Sequence, residues 1–600
     1  MKERLIFGYD PFVLPFTLGM VFIILYLLVG TVRIILALDD SERKLILKSF
    51  FPLKLFKSIK DIILDCLIHV KIFKKNPLLG YMHSSIAFGW FMLIFIGHIE
   101  VMIYTPQRTG VLYYPVFFRY FVMETHETLR GSFFFFLMDL SLLLVLTGIG
   151  LAIFKRFRSK ALGMRRTTKL RLGDKIALYS LWAIFPLRLL AESFTANISG
   201  GSFLTISINH LLNAFVTNPD YILPVWWAYS IALGLFLFAL PFSRYMHIPT
   251  EILLILLRNA GIKSSMSRNG YAESEIYSCS RCGICIDDCP MTVQKRNIKF
   301  SSVYFIRLLR RRFDESINTA DKCLMCNKCV EVCPVGIDST RLKLLKRQEE
   351  YGKSRTNYDY LSTIEYSKKR ADNVLYYAGC MTHLSPAIYK SLFKILESAK
   401  IDYTFLDSDG SICCGRPLML SGNLEGAKNL IKKNRELIKA SGCDTLLLSC
   451  PICYKIFNEE YKLKGIKVVH HSVYINDLVK SGKISLKKSS DSYVFHDPCE
   501  LGRGSNIYDE PRELLSNSGV VKEASKERRE SICCGGSLGS LTLSYNDREQ
   551  ITKASLKALL ENDPDKVVTA CPLCLKSFSP YNSKPTIDIA QIISEQLINS

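Results

Sequence analysis

Two runs of cysteine carry the plainest chemistry in this chain. Cys279-x2-Cys282-x2-Cys285-x3-Cys289-Pro290 is followed, 33 residues on, by Cys323-x2-Cys326-x2-Cys329-x3-Cys333-Pro334. Three thiolates on one tight turn can hold three irons of a 4Fe-4S cube, and the fourth cysteine of each run points toward the other cluster. The expected ligand sets are therefore Cys279, Cys282, Cys285 and Cys333 for one cubane, and Cys323, Cys326, Cys329 and Cys289 for the other. Zinc, the alternative, uses paired C-x2-C turns and has no use for a doubled run of this kind.

A second cysteine pattern is repeated. Cys380, then 32 residues, Cys413-Cys414-Gly415, then 34 residues, Cys450-Pro451-Ile452-Cys453 recurs as Cys499, then 33 residues, Cys533-Cys534-Gly535, then 35 residues, Cys571-Pro572-Leu573-Cys574. Short apolar runs at 374–378, 445–448, 493–495 and 567–569 end near these cysteines, with helical spacing over 425–438 and 548–560. Strands that deliver ligands at their carboxyl ends and alternate with helices predict a parallel α/β layer in each copy. Structural zinc at the two Cys-Pro-x-Cys turns is the alternative. Eight cysteines in the runs and ten in the repeats leave Cys66 and Cys443, read as ordinary thiols. His383 and His496 stand three residues from Cys380 and Cys499. Either could give a proton to a thiolate leaving group, or hydrogen-bond a cluster sulfur.

These cysteines need a reducing compartment, since an oxidising one would turn them to disulfides. All but one of the 20 follow residue 278, whereas the long apolar runs precede residue 250. The net charge of +22 does not form one nucleic-acid-binding stripe: the basic residues crowd beside the apolar runs, as membrane-surface electrostatics requires. Spans are expected at about 13–38, 78–104, 131–154, 176–194 and 222–246, each near the ~20 residues a bilayer needs. The fourth carries Arg188 and Glu192. The first has an apolar run too long for a signal peptide and is expected to stay as an anchor. Loops 39–77 and 155–175 hold nine Lys and Arg each, against three in 105–130 and none in 193–221. The asymmetry predicts a multi-pass protein of the cytoplasmic (inner) membrane, with its N-terminus outside and its iron-sulfur domains in the cytoplasm.

Titratable groups at membrane depth are functional candidates. His83 and His98 lie roughly 22 Å apart on the second span and His247 at the cytoplasmic end of the fifth. Facing imidazoles suit a low-spin haem b, so His83 is paired with His247. His98 needs a partner on the outer side; His210 and His126 both qualify by topology, and His210, in the stretch 203–215, is preferred. The layout resembles the five-helix cytochrome b subunits of the nitrate reductase gamma and heterodisulfide reductase E type. Members of that family pair two histidines on the second span with two on the fifth, whereas His210 lies 37 residues before His247.

The repeated half resembles the CCG cysteine-rich domains of heterodisulfide reductase catalytic subunits, matching Cys-Cys-Gly-Arg-Pro-Leu at 413–418 and His496-Asp497-Pro498-Cys499-x-Leu501-Gly502-Arg503. That resemblance implies a non-cubane 4Fe-4S centre in each copy. The expected architecture is a five-helix transmembrane bundle (1–260), a mainly helical two-cluster ferredoxin module (261–345), a linker (346–370) and a duplicated α/β cysteine-rich domain (371–485 and 486–600). No Gly-x-Gly-x-x-Gly or Walker loop stands before a helix, so no tightly bound nucleotide or flavin is expected. Together the parts resemble membrane-bound electron-transfer-flavoprotein:menaquinone oxidoreductases. The resemblance implies a quinone-linked enzyme with two cubanes, one or two non-cubane centres, one or two haems b, menaquinone as substrate and a cytoplasmic carrier, electron-transfer flavoprotein, as partner. The rival readings are a fused heterodisulfide reductase of D/E type and a non-catalytic relay component of a respiratory complex.

Overall fold

The computed structural model describes residues 10–49, 51–122, 129–158, 168, 170–215, 221–262, 268–295, 297–311, 314–352, 369–370 and 373–598. It divides into two compact units, Met1–Ile284 and Cys285–Ser600.

In the first unit five helices are long and apolar enough to cross a membrane: Pro11–Leu36, Pro77–Tyr104, Gly131–Phe157, Leu172–Ser199 and Ile222–Phe242. The helices in order are α1 (Leu14–Leu36), α2 (Asp40–Ser49), α3 (Pro52–Ile62), α4 (Val70–Lys75), α5 (Pro77–Tyr104), α6 (Phe118–Phe121), α7 (Leu129–Phe157), α8 (Leu172–Ser199), α9 (Phe203–Phe215), α10 (Ile222–Ala239), α11 (His247–Ala260) and α12 (Gly270–Ser278). The segment expected as the loop 39–77 is mostly helix: α2, α3, a π-helical turn at Ile63–Leu67, and α4. The bundle core is apolar and aromatic, with Phe16, Leu142, Phe185 and Trp226 buried together. In the fourth span the two charges that weakened its apolar signal neutralise one another, Arg188 Nε lying 2.8 Å from Glu192 Oε1 one helical turn on.

The second unit opens with short helices around the cysteine runs: α13 (Ile284–Asp287), α14 (Pro290–Lys295), α15 (Ser302–Leu309), α16 (Ser316–Asp321), α17 (Lys328–Glu331) and α18 (Ser339–Tyr351). The last of these continues into the expected linker, and residues 353–368 lie outside those described. The first α/β copy comprises β1 (Val374–Tyr377), α19 (Cys380–His383), α20 (Ala387–Ser398), β2 (Tyr403–Phe405), α21 (Arg416–Ser421), α22 (Leu424–Ser441), β3 (Thr445–Leu448), α23 (Pro451–Glu459), β4 (Lys467–His470) and α24 (His471–Lys480). The second comprises β5 (Ser492–His496), α25 (Gly502–Ser505), α26 (Asp509–Ser516), β6 (Val520–Lys522), α27 (Tyr545–Leu559), β7 (Lys566–Thr569), α28 (Pro572–Phe578), β8 (Thr586–Asp588) and α29 (Ile589–Glu595).

Each copy is a four-stranded, wholly parallel sheet, ordered β2-β1-β3-β4 and β6-β5-β7-β8. The strands β1 and β5 are buried along their whole length, as parallel strands covered on both faces must be. The copies pack through a common core in which α20 of the first meets α29 of the second, and α24 of the first meets α26 of the second. Because α20 corresponds to α26 and α24 to α29 in the repeat, the interface is self-complementary, like that of a two-fold dimer.

Candidate functional site

Strand ends place the repeated cysteines. β1 leads to Cys380, β3 to Cys450, β5 to Cys499 and β7 to Cys571, all at carboxyl edges. Cys450 and Cys571 immediately precede α23 and α28, with proline in the first helical turn of each. The Cys-Cys-Gly turns need glycine because Gly415 and Gly535 adopt left-handed φ of 85° and 82°.

In the first copy all five sulfurs converge. Hydrogen bonds from Cys413 and Cys453 hold the Cys414 thiol well below its ordinary range. Cys453 also contacts Cys450, and Cys380 lies within electrostatic reach of Cys414 and Cys450. A Cβ at position 379 would come 2.8 Å from Cys453 Sγ, so the glycine there keeps the space around the sulfurs open. In the second copy Cys574 Sγ lies 3.3 Å from Cys534 Sγ, Cys571 contacts Cys574, and Cys499 contacts Cys533. His496 joins Cys534 and Cys574, with ligand atoms all within 4.8 Å of one another, and burial lowers its pKa. These are donor sets that fit iron, with soft sulfur buried at every position but Cys380 and Cys499 and no disulfide formed among the described cysteines.

The two copies differ at their rims. Tyr377 stands where His496 stands in the second copy, its hydroxyl donating to the Ile412 carbonyl at 2.8 Å. Cys380 is exposed, whereas Cys499 is partly covered. His383 turns to Asp407 (3.3 Å), which also accepts from the amides of Ala378 and Gly379. That hydrogen bond to Asp407 raises the His383 pKa.

The second ferredoxin run abuts the second copy. Cys289 lies beside Cys323, Cys326 and Cys329. A hydrogen bond between Cys326 and Cys533 pulls the Cys326 thiol down to about 5. Two cations face these sulfurs: the buried Lys343, which no sequence motif singles out, and the half-buried Arg503, which closes the motif around Cys499. Lys343 Nζ is 3.3 Å from Cys323 Sγ and 3.0 Å from Ser302 Oγ. Burial works against its charge, but Cys323, Cys329 and Cys289 together raise its pKa. Arg503 donates to the carbonyls of Cys326 (2.8 Å) and Ser531 (2.9 Å), facing the sulfurs of Cys326, Cys499 and Cys533. Further along, Cys571 of the second copy lies within electrostatic reach of Cys450 of the first, and α19 packs on α28. The sulfur sites of this unit thus form a series: second ferredoxin run, second copy, first copy.

In the first unit His83 lies within electrostatic reach of Lys155, His69, His247 and Arg244. Its ring stacks on that of His69, centroids 5.5 Å apart. Sequence does not single out His69, because it lies outside every expected span; its left-handed φ of 54° turns the chain into α4. His247 Nδ1 contacts the Arg244 carbonyl at 2.7 Å. Lys155 also reaches Cys282. The start of the first cysteine run is fastened here through Asp174, which accepts from the Arg244 amide (2.8 Å) and pairs with Arg281 (3.0 Å). His98 and His210 are exposed on α5 and α9, and His98 Nδ1 contacts the Ile94 carbonyl. His126 lies outside the described residues. Cys66 and Cys443 are buried apart from these sulfur sets.

Comparison with known proteins agrees with this geometry. The CCG cysteine-rich domain family matches residues 374–458 and 493–579, and the 4Fe-4S dicluster domain family matches 275–337. The D subunit of a dihydromethanophenazine:CoB--CoM heterodisulfide reductase from Methanosarcina acetivorans is 28% identical over 374 residues, 52% of this chain and 91% of that protein. The B subunit of a fumarate reductase (CoM/CoB) from Methanothermobacter marburgensis is 24% identical over 50% of this chain and 67% of its own. An EtfAB:quinone oxidoreductase of Syntrophomonas wolfei is 21% identical over 482 residues, 62% of this chain and 67% of that protein.

Proposed function

Starting from an iron-sulfur oxidoreductase of the heterodisulfide reductase D and EtfAB:quinone oxidoreductase type, we propose that the chain passes electrons between a cytoplasmic carrier and the menaquinone pool of the membrane that its five spans cross. The carrier is electron-transfer flavoprotein, and the soluble part faces the cytoplasm, on the side of the basic loops. The observation that carries the reading is the unbroken succession of sulfur sites in the second unit, ending at the exposed Cys380, together with a histidine cluster beside Cys282 in the first.

In this reading Cys279, Cys282, Cys285 and Cys333 hold one cubane, and Cys323, Cys326, Cys329 and Cys289 the other. Cys380, Cys413, Cys414, Cys450 and Cys453 hold one non-cubane centre, and Cys499, Cys533, Cys534, Cys571 and Cys574 a second. His83 and His247 are the ligands of a haem b at the basic end, and His98 and His210 the candidates for a second haem at the other. Bound clusters and haem supply one-electron transfer. The protein's own residues do the rest. Lys343 and Arg503 offset the negative charge that builds up on thiolate ligands, Asp174 fixes the cysteine run to the bundle, His496 holds a proton beside the sulfurs, and His383 holds one at Asp407.

A second reading, reduction of a disulfide between the cysteine-rich copies, is favoured by the juxtaposition of Cys450 and Cys571. His83→Ala should remove the haem at the basic end, lowering the haem content of the purified protein while leaving iron content and cluster signals intact. Haem content equal to wild type would remove His83 from the pairing and leave His69 as the competitor.

A further inference from the structure

Five charged side chains are buried in the half of the bundle remote from the basic loops. Glu100 on α5, Arg119 on α6, Asp139 on α7, and Arg188 and Glu192 on α8 are each at most 5% exposed. Counted along their helices, those on α5, α7 and α8 sit roughly 6 to 16 Å from the helix ends at that side. A charge held at such depth is costly and marks a functional site by default.

The charges do not cancel. Arg188 pairs with Glu192 (2.8 Å) and Arg119 with Glu100 (2.8 Å), leaving three carboxylates against two guanidinium groups among the described residues. Asp139 is satisfied by hydrogen bonds instead, accepting from the amides of Leu204 and Thr205 at 2.9 Å and from the Thr205 hydroxyl at 3.1 Å. Glu100 is the open member. Its Oε1 meets Arg119, but Oε2 is buried with no hydrogen-bond partner. Arg119 is itself tied down, donating to the Ser199 carbonyl at 2.6 Å and lying 4.1 Å over the Phe135 ring. The groups facing Glu100 are Arg119 from α6, Glu192 and Arg188 from α8, and Asp139 from α7. On α10, Tyr229 hydrogen-bonds Arg188 and stacks edge-on to Trp226 at 5.9 Å; Trp226 Nε1 and Ser230 Oγ are buried donors without partners. Trp226 Nε1 thus connects through Tyr229 to Arg188, which lies within electrostatic reach of the unsatisfied Glu100 carboxylate.

We propose that this cluster is the proton-exchange site for a quinone headgroup, with Glu100 as the group that carries the proton. The assignment rests on the quinone reading given above. Reduction of a quinone to a quinol takes two electrons and two protons, each carbonyl oxygen becoming a hydroxyl. The electrons are delivered from the iron-sulfur side of the chain. Each proton passes from the Glu100 carboxyl to a carbonyl oxygen, an O–H bond forming as the C=O π bond breaks, and Glu100 is reprotonated from water at the Tyr104 end. The carboxyl thus cycles twice per quinone, and quinol oxidation is the reverse. Arg119 and Arg188 keep the deprotonated carboxylate tolerable between cycles.

The test uses the full-length protein in detergent, reduced anaerobically and mixed with a water-soluble menaquinone analogue across pH 5.5 to 9. Glu100→Gln should slow reoxidation by the quinone by on the order of 100-fold and flatten its pH profile. Reduction of its iron-sulfur centres by a chemical donor should keep the wild-type rate. Glu100→Asp, which keeps a carboxyl, should recover a pH-dependent rate. Wild-type rate and pH profile in Glu100→Gln, or equal loss without a pH change in both variants, would overturn the assignment alone. Absence of quinone-dependent reoxidation in the wild type would overturn the quinone reading itself.

Discussion

Lys343 shows what one side chain does at a sulfur site. Its ammonium is buried among Cys323, Cys329 and Cys289, and its hydrogen bonds go to Cys323 Sγ and Ser302 Oγ. A fixed positive charge favours the more negative, reduced state of whatever the sulfurs hold. Lys343→Met should therefore lower the reduction potential of the cluster on this cysteine set by on the order of 100 mV, read by a redox titration followed by electron paramagnetic resonance. An unchanged potential would remove Lys343 from the electrostatics of the site. The cysteines were legible in the sequence because their spacing is local. Lys343 was not, because its meaning comes from contact with a sulfur 20 residues away, that of Cys323; Arg503 stands in the motif around Cys499, but its contact with Cys326 does not follow from that motif. His69 was illegible for another reason, since nothing in its neighbours' hydropathy announces that its ring will stack on His83.

At the scale of elements, periodicity was informative where segments are long or buried. The spans, the parallel strands β1, β3, β5 and β7, and the helices α22 and α27 are visible in hydrophobic pattern alone. The edge strands β2, β4, β6 and β8 are short and partly exposed, so no apolar run marks them. The helix α18 is charge-rich, which made its end look like linker. It is instead a tie within the second unit. Arg347, fully buried, donates to the carbonyls of Ala320 (2.5 Å), Leu420 (2.5 Å) and Gly539 (2.7 Å). These three belong to the ferredoxin segment and to both α/β copies. Arg347→Leu strands those acceptors without donors and should destabilise the unit by about 3 kcal/mol or more. Denaturant unfolding followed by loss of iron-sulfur absorbance checks this, and a change within about 0.5 kcal/mol would mean that the three parts hold together without the tie.

For the molecule as a whole, sequence and structure agree on kind: a five-span bundle, a ferredoxin module and a duplicated CCG layer, making an iron-sulfur oxidoreductase. What no local pattern could show is the order of the sulfur sites. The contact of Cys326 with Cys533, and the approach of Cys571 to Cys450, make the second copy the middle of the series and the first copy its exposed end. Electrons from a soluble flavoprotein, on the function proposed here, reach quinone through this chain. The most direct measurement is anaerobic: reduced electron-transfer flavoprotein is added to the purified protein, haem absorbance is followed, and a menaquinone analogue is then supplied. Haem reduction that the quinone reverses is the predicted result. Haem that stays oxidised with the flavoprotein, yet after chemical reduction is reoxidised by a thiol heterodisulfide, would contradict the proposal and assign the chain to disulfide reduction.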